Sequence, residues 1–217
     1  MPKVKIPRKS TNIDMTAMCD VAFLLLTFFI LATKQKPPEV LAVTPPNSVS
    51  SKAAPDKSIL VTMTAEGKVF LTLGDETKKD AILEDFNKIK GLQLSGSEMA
   101  KLKKSEFIGQ PANQLKSSLA SNREILPTQM PGIPIDSTNN ELADWIRSVS
   151  NVYAAASVDV KDLQNMLLVK GDNAALYPIF KKVKQAFKKN ELYKFRIVTN
   201  SEDIPAGSEL SKQPPTN

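Results

Sequence analysis

Residues 15–33 read MTAMCDVAFLLLTFFILAT, an apolar run of 19 residues with one charged side chain, Asp20. A helix rises about 1.5 Å per residue, so a helix of this length is about 28 Å long, close to the thickness of the hydrocarbon layer of a bilayer. The run therefore predicts a single transmembrane helix at 15–33, preceded by a short N-terminal segment at 1–14.

Basic residues flank this run unequally. Four precede it and two follow it: Lys3, Lys5, Arg8 and Lys9, then Lys34 and Lys36. Because basic flanks stay in the cytoplasm, the N-terminus is predicted to be cytoplasmic and the rest of the chain to lie outside it. A cleaved signal peptide has a similar pattern. Against it stand Asp20 within the run and the absence of a small-x-small cleavage site in LATKQKPP at 31–38.

Asp20 is the residue that carries most information about function. An ionisable group in a membrane-length helix costs several kcal/mol unless it is paired, protonated or in contact with water, and this cost usually has a functional reason. Thr16 and Thr27 share its helical face, which gives a narrow polar stripe that should face protein or water. In the alternative, Asp20 marks the cytoplasmic edge and the span is Val21–Thr33, whose 13 residues are short for a bilayer.

Composition argues against most enzymes. The 217 residues contain no His and one Cys, which removes the commonest metal ligand, the usual general base and any disulfide within the chain. We therefore predict no enzyme activity, no cofactor and no metal. The net charge of +6 does not indicate nucleic-acid binding, because the basic residues would lie outside the cytoplasm and are not interleaved with aromatic residues.

The rest of the chain predicts a linker, a folded domain and a tail. Residues 34–57 contain five prolines and are predicted to be a linker. The domain is predicted at 58–200 and begins with a hairpin, Ile59–Thr64 and Lys68–Leu73, around Gly67. Residues 74–132 are polar and helix-prone, with apolar stripes typical of short helices. The tail at 201–217 is predicted to be disordered.

The second half of the domain predicts two helices and two strands. Thr138 to Glu141 resembles a capping box before a helix that places Leu142, Trp145, Ile146 and Val149 on one face. A strand (Met166–Val169), a helix (Ala174–Lys189) and a strand (Tyr193–Thr199) follow. The last helix has an apolar stripe of Leu176, Ile179, Phe180, Val183 and Phe187, and its lysines are predicted to be a solvated face. The fold class is a transmembrane helix plus a small two-layer α+β domain with a helical insertion at 74–132.

The order Ile13-Asp14-Met15-Thr16-Ala17-Met18-Cys19-Asp20-Val21 before an apolar helix resembles the N-terminal signature of the ExbD and TolR proteins. The outer domain is also similar, since it has a Gly-containing hairpin at Ile59–Leu73 and a strand, helix and strand at Met166–Thr199. Three departures stand out: Asp14 in place of a neutral amide, Ala17 in place of a proline, and the block from about 74 to 132, which is longer than in the family.

This resemblance implies that Asp20 is the proton-carrying residue and that Thr16 takes the place of the family's threonine one turn earlier. The chain would then be a proton-conducting subunit of biopolymer transport, a homodimer inside a ring of multi-span ExbB/TolQ-like subunits. It would lie in the inner (plasma) membrane, with its outer domain in the periplasm. It would use the proton motive force to do work on a TonB- or TolA-like partner, or grip peptidoglycan. The polar stripe is compatible with H⁺ and with Na⁺.

Two alternatives from other classes stay open. One is a signal-anchored periplasmic binding protein for peptidoglycan or a protein partner, in which Asp20 has no role and its replacement by Asn is harmless. The other is a tethered enzyme outside the cytoplasm. It is disfavoured because the sequence contains no phosphate-binding loop, metal-ligand cluster or nucleophile elbow.

Overall fold

The computed structural model describes residues 15–32, 41, 43–49, 53–55, 57–121, 126–136 and 138–203, which belong to two compact units. The predicted cytoplasmic segment 1–14, Thr33 at the end of the predicted helix, the segment 34–40 of the predicted linker and the predicted tail from 204 on lie outside these residues. The first unit contains one helix, α1 (Met15–Ala32). The second contains β1 (Asn47–Ser48), β2 (Ile59–Met63), β3 (Val69–Leu73), α2 (Glu76–Lys90), α3 (Gly96–Lys104), α4 (Ala112–Ala120), a 3₁₀ turn (Pro127–Gln129), α5 (Glu141–Ala155), α6 (Val160–Met166), β4 (Leu167–Gly171), α7 (Tyr177–Lys189), β5 (Arg196–Ile197) and β6 (Asn200–Ser201).

Helix α1 agrees with the predicted apolar run. It has 18 residues, and in the described part of the chain it is the one helix long and apolar enough to cross a membrane, judged by length and composition. None of its side chains is buried. A helix that is apolar on all sides needs an apolar environment from lipid or from other chains.

The second unit is built on a mixed four-stranded sheet of order β3-β2-β4-β5. β2 and β3 form the predicted antiparallel hairpin, and Gly67 supports its turn with a φ of 85°, which only glycine adopts at low cost. β4 pairs in parallel with β2 and with β5, and α7 connects β4 to β5 as predicted. The coarse prediction, an apolar helix followed by an α+β domain, is confirmed.

Helices α2, α5 and α7 cover one face of the sheet and bury the main core. Phe86 of α2 and Trp145 of α5 stack in this core with ring centroids 3.4 Å apart and an interplanar angle of 8°. Both side chains are almost fully buried. Helix α2, inside the predicted insertion, is therefore part of the central packing, and Leu102 of α3 and Leu115 of α4 are buried in the same core.

Residues of the predicted linker pack against part of the opposite face of the sheet. Leu41 and Val43 are buried in a small cluster with Phe70 of β3 and Met130. A few residues later, β1 pairs in parallel with β6 at the other end of the chain. The folded unit thus includes residues well before Ser58, where the sequence predicts its start.

The start of α5 differs from the predicted capping box. Asn140, and not Thr138, is the N-cap, and its side chain accepts a hydrogen bond of 3.1 Å from the Ala143 amide. Glu141 is drawn into a tertiary contact instead, because its buried carboxylate accepts a 2.7 Å hydrogen bond from the Ala112 amide at the start of α4. Pro111, the N-cap residue of α4, has no side-chain cap bond, so Glu141 supplies this cap from another helix.

Boundaries in the last third also differ from the prediction. Met166 ends α6, which the sequence pattern did not reveal, and β4 runs from Leu167 to Gly171. The final predicted strand is reduced to the two residues of β5. Leu176, placed in the apolar stripe of the last helix, is instead its exposed N-cap, with 66% of its surface accessible.

Candidate functional site

The candidate site predicted from the sequence lies on α1. At about 100° of rotation per residue, Thr16, Asp20 and Thr27 fall within a sector of about 40°. They are spread along the axis, because Asp20 is about 6 Å from Thr16 and about 10 Å from Thr27 in helical rise. The helix therefore places the three residues on one line, without bringing Thr27 into contact with Asp20.

The Thr27 hydroxyl is hydrogen-bonded within the helix. Its Oγ1 donates to the carbonyl oxygens of Leu24 at 2.9 Å and of Phe23 at 3.0 Å. A threonine with this back-bonding costs little in hydrocarbon, because its donor is already paired. Thr27 can thus stand in a membrane-length helix without a partner from another chain.

Within α1, Asp20 has no charged side chain with which its carboxylate could pair. The helix contains no Lys, Arg or other carboxylate, and the residues one turn away, apart from Thr16, are Ala17, Phe23 and Leu24. The carboxyl is exposed, as are the large apolar side chains around it. In a membrane, Asp20 must therefore carry a proton, meet water or pair with a group from another chain.

The folded unit contains a cluster of ionisable groups where α2 begins. Lys78 Nζ lies 3.9 Å from Asp75 Oδ2 and 4.1 Å from the ring centroid of Tyr153. Burial raises the pKa of Asp75, but hydrogen bonds from Thr77 and the charges of Lys57 and Lys78 outweigh it and hold that pKa below its usual value. Burial, together with Asp75, raises the pKa of Tyr153 to about 12. The phenol thus stays protonated at neutral pH, and the cluster joins α2 to α5.

The described residues include no group of three or more His, Cys, Asp or Glu that could hold a metal ion. A cavity of about 500 Å³ lies between α3, α4 and the 3₁₀ turn. Its walls are mainly apolar, and the polar Gln110 in them accepts a hydrogen bond from the Ser118 hydroxyl. This lining holds no pair of groups arranged for acid–base or nucleophilic chemistry.

Asp172 anchors the chain where it enters the folded unit. Its carboxylate accepts hydrogen bonds from the Thr44 amide at 3.0 Å and from the Ala174 amide at 2.8 Å, while the Asn173 amide donates to the Thr44 carbonyl at 2.9 Å. The backbone bonds from Thr44 and Ala174 lower the pKa of Asp172. The sequence indicates a turn and cap at Gly171 to Asn173, but its contact with Thr44 has no local signal.

This contact predicts a pH-dependent attachment of Thr44. The pKa of Asp172 is lowered in the folded state, so its hydrogen bonds are fully present above the usual carboxyl pKa of about 4 and are lost as the pH falls through the lowered value. We expect Asp172→Ala to increase exchange of the Thr44 amide at neutral pH, measured by hydrogen exchange and corrected for the intrinsic rate. Asp162→Ala, at an exposed carboxylate of α6, is the control. Equal exchange in both variants would contradict the assignment.

Comparison with known families returns a match over residues 7–202 to the family model described as "Biopolymer transport protein ExbD/TolR". The match covers α1 with Asp20 and the folded unit, including the block at 74–132. No match was found among curated proteins or among solved structures.

Proposed function

Because the chain belongs to the ExbD/TolR family of biopolymer transport proteins, we propose that it is the ion-conducting subunit of an energy-transducing motor in the inner membrane. The observation that carries this proposal is Asp20, the one acidic or basic residue of a mainly apolar, membrane-length helix. We assign Asp20 as the proton carrier and Thr16 and Thr27 as the polar face that lines its path.

The chemistry of the carrier follows from the surroundings of Asp20. When protonated, the carboxyl is neutral and can turn toward an apolar neighbour. When ionised, it requires water or a cationic or hydrogen-bonding group. A proton moving through the membrane field supplies about 2.3 kcal/mol per 100 mV, enough to shift the balance between two packings of α1. The cycle of protonation and release would drive rotation of α1 against its surroundings.

One chain supplies no complete ion pathway, so the motor requires partners. We propose a homodimer whose two α1 helices stand within a ring of ExbB/TolQ-like multi-span subunits. The N-terminus would be cytoplasmic and the folded unit periplasmic. The folded unit would pass work to a TonB- or TolA-like partner, for transport across the outer membrane or envelope, or would grip peptidoglycan.

The attachment of Thr44 to Asp172 supports this transfer of work. In the proposed motor, movement of α1 would reach the folded unit at its first described residues, Leu41, Val43 and Thr44. Leu41 and Val43 are buried there, and Thr44 is hydrogen-bonded to Asp172 and Asn173. A pull on the connecting segment therefore acts on the sheet and on the start of α7.

The proposal is tested first by the protonation of Asp20 in membranes. N,N′-dicyclohexylcarbodiimide reacts with protonated carboxyl groups in apolar surroundings. We expect it to modify Asp20 in native membranes, detected by mass spectrometry of the α1 peptide, with less modification as the pH rises. Asp20→Asn should remove the modification.

Exposed carboxylates of the folded unit serve as the internal control. Asp162 and Glu84 lie on its surface and should react far less than Asp20 at the same pH. A lack of modification of Asp20 at every pH, with α1 inserted, would contradict its role as a proton carrier.

A further inference from the structure

One tyrosine and three lysines form a ridge on the exposed side of α7. They are Tyr177, Lys181, Lys184 and Lys188. Their spacing i, i+4, i+7 and i+11 places them within a sector of about 60° and along about 16 Å of helix. All four side chains are exposed. We call these four residues the α7 ridge.

The ridge carries an unbalanced positive charge. None of its three lysines forms an ion pair within the described residues, whereas Lys182, on another side of the helix, pairs with Asp136 at 3.1 Å. The exposed side chains of Lys189 and Lys194 add positive charge. The nearest carboxylates along the chain lie beyond the two ends of α7: Asp172, whose oxygens accept from backbone amides, and Glu191.

Apolar and aromatic side chains lie at the N-terminal end of the ridge and beside it. Leu176 and Tyr177, at the start of α7, expose 66% and 69% of their surface. Tyr177 and Phe180 lie 6.3 Å apart between ring centroids, and Phe180 lies 6.0 Å from Phe195 of the following segment. Cationic and exposed aromatic or aliphatic groups side by side are typical of surfaces that lie in the interface of a bilayer.

Covalent connectivity keeps the folded unit within reach of the membrane that α1 would cross. Residues 33–40 join Ala32 of α1 to Leu41, and an extended chain of this length spans at most about 30 Å. Thr44 is hydrogen-bonded to Asp172 and Asn173, only a few residues before Leu176. The start of α7 is thus the part of the folded unit close to the entry of the connecting segment.

We propose that the α7 ridge docks on the anionic lipid headgroups of the membrane that α1 spans. Lys181, Lys184 and Lys188 pair with lipid phosphates, and Leu176 and Tyr177 enter the interfacial layer. The inference rests on the proposed function only in requiring that α1 crosses a membrane. Docking gives the folded unit a resting position from which it is released to act on its partner.

The test is lysine footprinting of the full chain in lipid nanodiscs. An amine-reactive reagent labels the chain in discs of phosphatidylcholine alone and in discs with about 30% phosphatidylglycerol, and mass spectrometry gives the rate at each lysine. Lys88, Lys104 and Lys161, which are exposed on other helices, are the internal reference for the lower surface pH of anionic discs. We expect labelling of the ridge lysines, relative to this reference, to slow at least about threefold in anionic discs and to recover in about 0.5 M NaCl.

A variant separates docking from simple attraction of charge. Leu176→Ser with Tyr177→Ser alters two exposed side chains and leaves every lysine in place, so most of the protection should be lost while thermal unfolding is unchanged.

Equal labelling of ridge and reference lysines in both discs would overturn the proposal, and so would protection that appears only on addition of peptidoglycan. Alkaline extraction reports separately on α1: a chain released from the bilayer contradicts the transmembrane premise of both proposals, whereas a retained chain with unprotected lysines contradicts docking alone.

Discussion

Replacing Asp20 with asparagine is expected to abolish function that depends on the proton motive force, to the level of cells that lack the chain. The amide has nearly the same size as the carboxyl but cannot bind and release a proton, so the variant removes the chemistry and retains the shape. Because asparagine is also cheaper to place in a membrane-length helix, insertion and assembly should not suffer. The measurement is growth or transport dependent on the proton motive force, with insertion and complex assembly checked in the same cells.

Matched variants make this result specific. Asp20→Glu keeps a carboxyl on the same face and should retain part of the activity. Asp14→Asn removes the carboxylate that precedes the apolar run and should retain most of it. Full activity of Asp20→Asn would contradict the motor and favour the anchored binding protein, for which this side chain has no task.

Phe86→Ala is expected to destabilise the folded unit by about 3–5 kcal/mol, the usual cost of removing a buried aromatic ring. The ring lies parallel to Trp145, and Ile82, Leu83 and Ile146 of the same core are also buried, so the cavity left behind has little room to collapse. With a free energy of unfolding of about 5–15 kcal/mol for a typical domain, a loss of this size is a large fraction of the total. Denaturant unfolding of the full chain in detergent, followed by fluorescence, measures it.

Because Trp145 stacks on Phe86, its fluorescence reports directly on the site of the substitution. It is the single tryptophan of the chain, and it should report both the loss of its stacking partner in the native state and the shift of the unfolding midpoint. Tyr193→Ala removes an aromatic ring that is 66% exposed, and we expect a change below about 0.5 kcal/mol. Comparable losses in the two variants would show that α2 is not part of the central core.

Each prediction involves a residue whose local role is visible in the sequence. This residue is Asp20 in the first prediction and Trp145, the stacking partner of Phe86, in the second. The charge of Asp20 within an apolar run and the helical spacing of Trp145 with Leu142, Ile146 and Val149 follow from residue types a few positions apart. The hairpin around Gly67 and the helix between the last two strands could be predicted for the same reason, because turns, alternation and helical periodicity involve near neighbours along the chain. The function of Asp20 is still a prediction, supported by family membership and awaiting the variant.

Other features have no local signal. Residues 34–57 resemble a linker because of their prolines, yet Leu41 and Val43 are buried against Phe70 and Met130. Glu141 fits a capping box with Thr138, but its carboxylate caps α4 because the fold brings the Ala112 amide to 2.7 Å from it. The neighbours of a residue in sequence do not reveal which distant group will pack against it or hydrogen-bond to it.

The sequence by itself thus determined the apolar helix with its single carboxyl, the hairpin, the final strand-helix-strand unit and the α+β class. The helices, strands and turns of which these consist each depend on hydrophobic pattern and turn chemistry within about 20 residues. Only the tertiary structure decided the parallel pairing of β2 with β4, the burial of Leu41 and Val43, and the place of Thr44 beside Asp172. These contacts join residues from 27 positions apart, for Val43 and Phe70, to 128 positions apart, for Thr44 and Asp172. Their partners are selected by the packing of the whole unit, which no short window of sequence contains.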